Sequence, residues 1–355
     1  MDIEKRIELV TRAPIEETLT IADLRELLQR EERPVHYQGF EISGHLHLGT
    51  LILSGFKIND LSEAGFKTKV LLADWHSILN KKLGGDWDKI LKAAKYYKEA
   101  FKFFCPKTEI VLGSELYHNN DDYWKNVMRF SLQISLARCS RCLTIMGRSE
   151  NEKLDLAQYF YPPMQAVDIV AIGAHLAHGG MDQRKIHVLA REVYPHLGWK
   201  KPIAIHHHLL PGLAEPPKIS NPTNKEERTL AAKMSKSKPW TAIFVHDTKE
   251  EIKEKMKKAY CPPQVEDNPV LELAKYVVFH EFESVTVYRE SKFGGDVTFN
   301  SYAELEEAYI NKKIHPMDLK NCIAEHIDKI IEPVRKHFEN KKELLEVYKE
   351  VEITR

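Results

Sequence analysis

Apolar and polar positions along this chain change period in a regular alternation. Val35–Phe40 is a short apolar-rich run that reads as a strand, and Leu51–Ala64 carries the three-to-four-residue apolar repeat of a helix. Thr68–Leu72 reads as a second strand and Trp87–Phe104 as a helix. Glu109–Leu112 is a third strand, and helical periodicity dominates from Tyr123 to Ala137. Strands alternating with helices predict an α/β domain, a parallel sheet with covering helices. Ligands in such sheets sit at the carboxyl ends of the strands, where Tyr37, the His47 segment and Asp74 are expected. Residues 1–33 are polar and helix-prone. Pro211, Gly212, Pro216, Pro217 and Pro222 make 211–230 an inserted loop. From Lys249 the pattern is charged amphipathic helix, interrupted by Lys292-Phe293-Gly294-Gly295-Asp296. The expected organisation is therefore a parallel-sheet domain over 1–248 and a smaller, all-helical C-terminal domain over 249–355.

Composition narrows the class. The 355 residues hold 52 Lys+Arg against 52 Asp+Glu, which excludes a globally basic nucleic-acid binder but leaves local basic patches open. Five cysteines in a chain of this length do not make a disulfide framework. Met1–Arg6 lacks the apolar core of a signal peptide, and no apolar run approaches the roughly 20 residues that span a bilayer. A cytoplasmic protein without membrane contact is expected. Cys139-Ser140-Arg141-Cys142 is a lone C-x-x-C, and a zinc site needs two more ligands at suitable spacing. His206-His207-His208 closes a predicted strand and has no further metal-ligand pattern around it, so no resident metal is expected.

Two segments carry the chemistry. Lys233-Met234-Ser235-Lys236-Ser237 places two ammonium groups on a Ser-containing loop, and each is a compact charge suited to phosphate oxygens. Read blandly it is a solvated charged loop. His47-Leu48-Gly49-Thr50 lies where a predicted strand turns into a predicted helix, and a helix start offers unpaired N–H groups to phosphate. In this order the two resemble the ATP-binding signatures of class I aminoacyl-tRNA synthetases. The match extends from about residue 33 to about residue 338 through Tyr37-Gln38-Gly39-Phe40-Glu41, Leu71-Leu72-Ala73-Asp74-Trp75-His76, Tyr161-Pro162-Pro163-Met164-Gln165-Ala166-Val167-Asp168 and Gly179-Gly180-Met181-Asp182-Gln183-Arg184-Lys185. His315-Pro316-Met317-Asp318 completes it. With these segments the chain resembles the tyrosyl-tRNA synthetases of the archaeal and eukaryotic type.

The resemblance implies a Rossmann-like catalytic domain and a two-step reaction. Tyrosine is activated by ATP, which arrives with Mg2+, and is then transferred to the 3′ end of tRNA(Tyr). It implies ATP binding by His47, Gly49, Thr50, Lys233, Met234, Ser235, Lys236 and Ser237, with His47, Lys233 and Lys236 catalytic. Thr50 stands where the family signature ends in a second histidine, and threonine donates a hydrogen bond but carries no charge. L-Tyrosine would be held by Tyr37 and Asp168 at its hydroxyl and by Tyr161, Gln165 and Gln183 at its amino-acid end. Tyr161, Gln165 and Asp168 fall at i, i+4 and i+7, one face of a helix, which without a ligand would be an ordinary polar surface. Phe293, His315 and Asp318 would read the first anticodon base, although Asp318 could instead cap a helix beginning near Leu319. Arg141, Arg184 and Lys185 would hold the acceptor stem. A site built for the tyrosine hydroxyl leaves polar groups unpaired against phenylalanine, and this enzyme family is the standing example, at about 10⁵-fold without editing. No editing domain is therefore expected. The family also implies a homodimer. The competing readings are a tryptophanyl-tRNA synthetase, a small nucleotidyltransferase and a non-catalytic tRNA-binding relative. The Tyr37–Asp168 pair and the Phe293–Asp318 module weigh against the first, the Lys233 loop against the second, and the complete substrate set against the third.

Overall fold

A computed structural model describes residues 1–147, 154–217, 225–236 and 238–349. They form two compact units. The first comprises Met1–Gly44, Lys57–His208 and the chain from Glu343, and the second His45–Phe56 with Leu209–Lys342.

The first unit is built on a six-stranded sheet. In chain order its strands are β1 (Ile15–Leu19), β2 (Val35–Phe40), β3 (Lys67–Leu72), β4 (Glu109–Leu112), β5 (Leu176–Gly180) and β6 (Ile203–His207). The spatial order is β1-β6-β5-β2-β3-β4, parallel throughout except for β1, which runs antiparallel along the edge of β6. Helices cover both faces, so the inner strands read as apolar runs rather than alternations. Neighbouring residues of β5 divide between the two cores. Leu176 packs with Leu24, Leu27, Leu61 and Phe66, and Ala177 packs with Tyr37, Val167 and Ile186.

The predicted α/β pattern is present, with β2 and β4 at the expected bounds and β3 one residue longer. The N-terminal stretch differs from a purely helical reading. Helices Ile3–Thr11 and Ile21–Arg30 flank β1, whose Ile15 and Leu19 pair with His207 and Ala204 of β6. A five-residue edge strand rich in Glu is decided by its partner, not by its own propensity. The stretch from Tyr123 to Ala137 is likewise two helices, Asp121–Ser131 and Leu136–Cys142, the second capped by the Ser135 side chain.

Lys57 anchors the N-terminal segment to the sheet unit. Its buried ammonium donates to the carbonyls of Leu9 and Arg12 at 2.8 and 3.0 Å and to Asp60 Oδ2 at 2.9 Å. Burial holds its pKa down at about 8 despite the Asp60 charge.

In the second unit, segments 46–48 and 243–245 pair antiparallel. Leu48 N–H donates to the Ile243 carbonyl at 3.0 Å, and Val245 N–H to that of Leu46 at 3.1 Å. Helix Lys249–Lys258 opens with a capping box of Thr248 and Glu251 and packs on the long helix Pro316–Phe338. This region is mostly helical. Among the described residues it has one hairpin, β7 (Val285–Val287) with β8 (Val297–Phe299), which holds the Lys292–Asp296 interruption in its loop, where Gly294 and Gly295 take φ of 96° and 70°. Positive φ at two successive residues is cheap only for glycine.

Asp60→Ala strands the Lys57 ammonium in the core. An unfolding free energy lower by about 3–5 kcal/mol is expected, the usual cost of orphaning a buried charge, measured by chemical denaturation.

Candidate functional site

The first unit brings the predicted tyrosine-binding residues together. Tyr37 lies mid-strand in β2, between Lys69 of β3 and Ala177 of β5, and is buried. Gly39 keeps its hydroxyl clear, since a Cβ there would stand 2.7 Å from the Tyr37 oxygen. Helix Tyr161–Ala171 begins on Pro162-Pro163, whose missing N–H groups cost nothing in a first turn, and carries Tyr161, Gln165 and Asp168. Gln165 Nε2 donates to Gln183 Oε1 at 2.9 Å, and Gln183 Nε2 to the Ile145 carbonyl at 3.1 Å. Gly179 makes room for Gln183, because a Cβ there would meet the Gln183 Cβ at 2.8 Å.

Asp168 is fully buried and unevenly satisfied. Tyr117 and Tyr123 both donate to its Oδ1, at 2.9 and 2.8 Å. No described residue donates to Oδ2. His76 Nε2 lies 3.6 Å from it, beyond hydrogen-bond reach. Burial raises the Asp168 pKa to about 7, against the two tyrosine hydrogen bonds and with the charge of Asp74 adding to the rise. Burial pushes His76 down to about 3, so it is neutral and forms no ion pair. Its ring stands edge-on to Tyr161, centroids 4.5 Å apart. Asp74 in turn accepts from the backbone N–H groups of Trp75 and Ser114 at 2.8 and 2.9 Å.

The nucleotide signatures fall in the second unit. His47 Nδ1 accepts the Gly49 N–H at 3.1 Å, and its Nε2 lies 2.9 Å from Thr50 Oγ1. Burial, and then the charges of Lys236 and Lys233, hold the imidazole well below its ordinary pKa. A neutral ring that accepts at Nδ1 carries its proton on Nε2, so His47 donates to Thr50 and leaves the threonine proton to donate onward. Leu210–Gly212 supports the lysine loop. Met234 N–H donates to the Leu210 carbonyl at 2.7 Å and Gly212 N–H to that of Ala232 at 2.8 Å, while the Met234 side chain is buried. This leaves Lys233, Ser235 and Lys236 half-buried around an apolar anchor. Ser237 and residues 218–224 of the predicted loop lie outside the described residues.

Of the predicted RNA contacts, Arg141, Arg184, Phe293 and His315 are exposed, and Lys185 and Asp318 are half-buried. Arg184 donates through Nε to both Glu17 oxygens at 2.9 Å, and Glu17 is braced by His206 Nδ1 at 2.8 Å. Lys185 Nζ lies 3.4 Å from Thr144 Oγ1, three residues beyond Arg141. In the second unit Phe293 is 61% exposed, with the Lys292 ammonium 4.9 Å from its ring centre. His315, not Asp318, caps helix Pro316–Phe338: its Nδ1 accepts the Met317 N–H at 3.1 Å, and Asp318 stands in the first turn. The capping alternative for Asp318 is thereby removed.

Residues outside the predicted set complete these sites. Tyr117 and Tyr123 donate to Asp168 and His76 faces it; the sequence assigns none of the three a role, His76 entering only as the end of the Leu71–His76 segment. The histidine run is structural. His36 Nε2, His178 Nδ1 and Nε2, and His207 Nδ1 form a ladder across β2, β5 and β6 at 3.3 and 2.9 Å. His206 serves Glu17, and His208 pairs with Glu16 at 2.8 Å. None of the five cysteines is in a disulfide, and among the described residues no group of three or more His, Cys, Asp or Glu is placed to hold a metal.

Comparison with known proteins gives a consistent picture. The family model described as tRNA synthetases class I (W and Y) matches residues 29–332. The tyrosine–tRNA ligase of Thermococcus sibiricus is 49% identical over 376 aligned positions that cover all of both chains. The crystal structure of the tyrosyl-tRNA synthetase complexed with L-tyrosine from Pyrococcus horikoshii is similar at a TM-score of 0.92 and 46% identity, covering 99% of this chain and 100% of that one. The corresponding complex from Archaeoglobus fulgidus gives 0.84 and 39%, covering 95% and 99%.

Asp168 keeps its proton to about pH 7 when folded, against an ordinary value of 3.8. A raised carboxyl pKa lowers stability as pH climbs from the unfolded value, and the loss is complete above the folded value. Asp168→Asn is thus expected to stabilise the unliganded protein by a few kcal/mol at about pH 8 and by little at about pH 4. Denaturant titration at the two pH values checks it.

Proposed function

The chain belongs to the class I tRNA synthetases for tryptophan and tyrosine and its activity is that of a tyrosine–tRNA ligase; we propose how its residues divide that work. Tyr37 and Asp168 receive the phenol of L-tyrosine, and Tyr161, Gln165 and Gln183 hold its amino-acid end. The observation that carries this reading is the lopsided Asp168 carboxylate, saturated at Oδ1 and without a protein donor at Oδ2. A buried oxygen in that state favours a ligand that brings a hydroxyl and penalises one that does not.

In the first step a tyrosine carboxylate oxygen attacks the α-phosphorus of ATP. The bond to pyrophosphate breaks, and tyrosyl-adenylate forms. Negative charge develops on phosphate oxygens, so the step needs positioning and fixed cations more than a protein nucleophile. Lys233 and Lys236 supply the cations, and the neutral His47 with Thr50 and Gly49 supplies hydrogen bonds and backbone access. Met234 anchors the loop that carries them. Ser235 and Ser237 belong to the same signature. The magnesium is part of the substrate, held by phosphates and water. In the second step a terminal ribose hydroxyl of tRNA(Tyr) attacks the adenylate carbonyl and AMP leaves.

The recognition of tRNA follows the same division. Phe293 offers an exposed aromatic face on which a base can stack, and His315 and Asp318 offer polar groups at one helix start. Arg141, Arg184 and Lys185 take the acceptor stem, with Arg184 aimed by Glu17. Residues 1–248 then hold the chemistry and 249–355 the anticodon contacts, the division falling at the Thr248 capping box. A homodimer is supported by the exposure of Leu136 and Leu156, at 70% and 78%, on two short helices joined through the Cys139–Tyr159 contact, and of Leu132, at 83%, just after helix Asp121–Ser131. A cytoplasmic location agrees with the absence, among the described residues, of any helix long and apolar enough to cross a membrane.

Amino-acid-dependent exchange of pyrophosphate into ATP tests the core of this reading. Exchange with tyrosine and background levels with phenylalanine and tryptophan are expected, and exchange with tryptophan would overturn the pocket assignment. For the anticodon module, Asp318→Ala is expected to cut tRNA charging by about tenfold or more while sparing adenylate formation. Equal losses in both assays would remove Asp318 from base reading.

A further inference from the structure

Asp168 owes its asymmetry to two residues that no motif marks. Tyr117 ends the short helix Gly113–Tyr117, and Tyr123 opens helix Asp121–Ser131. Their rings stack at 4.4 Å and 30°, and both are buried. Trp75 meets Tyr117 edge-on at 6.0 Å, and Trp124 meets Tyr123 edge-on at 5.2 Å. The stack therefore delivers two hydroxyls to one place with little rotational freedom. Each has one proton to give. Tyr123 also has the Met164 carbonyl at 3.4 Å, but the carboxylate at 2.8 Å is the closer and charged acceptor.

A carboxylate oxygen accepts about two hydrogen bonds, so Tyr117 and Tyr123 fill Oδ1. We infer that Tyr117 and Tyr123 are specificity-determining positioning residues, which by saturating Oδ1 assign Oδ2 of Asp168 to the phenolic hydroxyl of the substrate. This rests on the reading of Asp168 as the phenol acceptor. The groups facing the carboxylate are Tyr37 from β2, Asp74 and His76 from helix Asp74–Leu79, Tyr117, Tyr123 and Tyr194. Of these only the two stacked tyrosines hydrogen-bond it, and Asp74 opposes its ionisation. The pair therefore has two effects on one group. It fixes which oxygen is left, and it favours the ionised form, which has no proton of its own and needs the substrate's.

Removing either hydroxyl loosens both effects. Oδ1 regains a vacant lone pair and can compete for the substrate proton. The acid form persists to higher pH, and a carboxylic acid carrying its own proton loses less when phenylalanine binds.

The test uses Tyr117→Phe, Tyr123→Phe, the double variant and Asp168→Asn, each assayed by pyrophosphate exchange with tyrosine and with phenylalanine from about pH 6 to 9. Each single variant is expected to lower the tyrosine-to-phenylalanine ratio of kcat/KM by about tenfold or more, and the double by more. The change should fall on KM for tyrosine, with kcat and KM for ATP unmoved. The acid limb of the tyrosine profile should shift to higher pH. An unchanged ratio with an unmoved limb overturns the inference, as does a loss confined to kcat. Asp168→Asn separates the two levels. If it leaves discrimination intact, Asp168 is not the acceptor and the underlying reading fails. If it abolishes discrimination while both phenylalanine variants retain it, only the role of the tyrosine pair fails. Thermal midpoints identify any variant that is merely unfolded, and calorimetric titration of tyrosine onto the folded single variant then decides the matter without the chemistry.

Discussion

Burying a carboxylate without a cation beside it is the constraint on which the proposed substrate pocket depends. Asp168 is buried from solvent, no lysine or arginine among the described residues pairs with it, and a second carboxylate, Asp74, adds to its burden. Only hydrogen bonds can offset this, and the two that reach Asp168 come from Tyr117 and Tyr123, in a site that three parts of the fold assemble. The parallel sheet sets Tyr37 on β2 within reach of the carboxylate's charge, a proline-started helix presents Asp168, and two short helices after β4 bring Tyr117 and Tyr123. The glycines at 39 and 179 belong to the same arrangement, because a methyl group at either place would occupy space the site uses. The pocket is a region where stability has been given up so that a ligand can supply the missing interaction.

The nucleotide segment solves a different problem by similar means. His47 is surrounded by positive charge and is buried, so its neutral form is fixed. One backbone N–H then determines its tautomer, and the tautomer determines what Thr50 can do. Threonine where the family signature has a second histidine keeps a hydrogen-bonding hydroxyl beside His47 without adding a second titratable group.

The sequence revealed the parts of this molecule that follow from local periodicity and from short, strongly constrained motifs. The alternation of β2, β3 and β4 with helices was legible because each strand carries a short apolar-rich run. The face formed by Tyr161, Gln165 and Asp168 was legible because helical spacing is a matter of counting. The edge strand β1 was not, since its Glu16 and Glu17 carry side-chain roles toward His208 and Arg184 that only the neighbouring β6 makes sense of. Tyr117 and Tyr123 were hidden for a related reason. An aromatic side chain in a helix reads as core, and these two are core, differing from their neighbours only in where a single hydroxyl points. The histidines at 206–208, for which the sequence predicts no metal role, hydrogen-bond to Glu17, His178 and Glu16 along the sheet edge and its neighbouring strand.

The partition of the chain has a bearing on the order in which function can be assembled. A nascent polypeptide that has reached His208 already contains all six strands of the sheet and every residue proposed for the tyrosine pocket. The segment His45–Phe56, though synthesised early, groups with residues made more than 150 positions later, and His47 gains its pairing partner only when Phe244 emerges. The residues proposed for amino-acid recognition and for nucleotide recognition are therefore separated in biosynthetic time, and an interrupted translation product would carry the first set without the second.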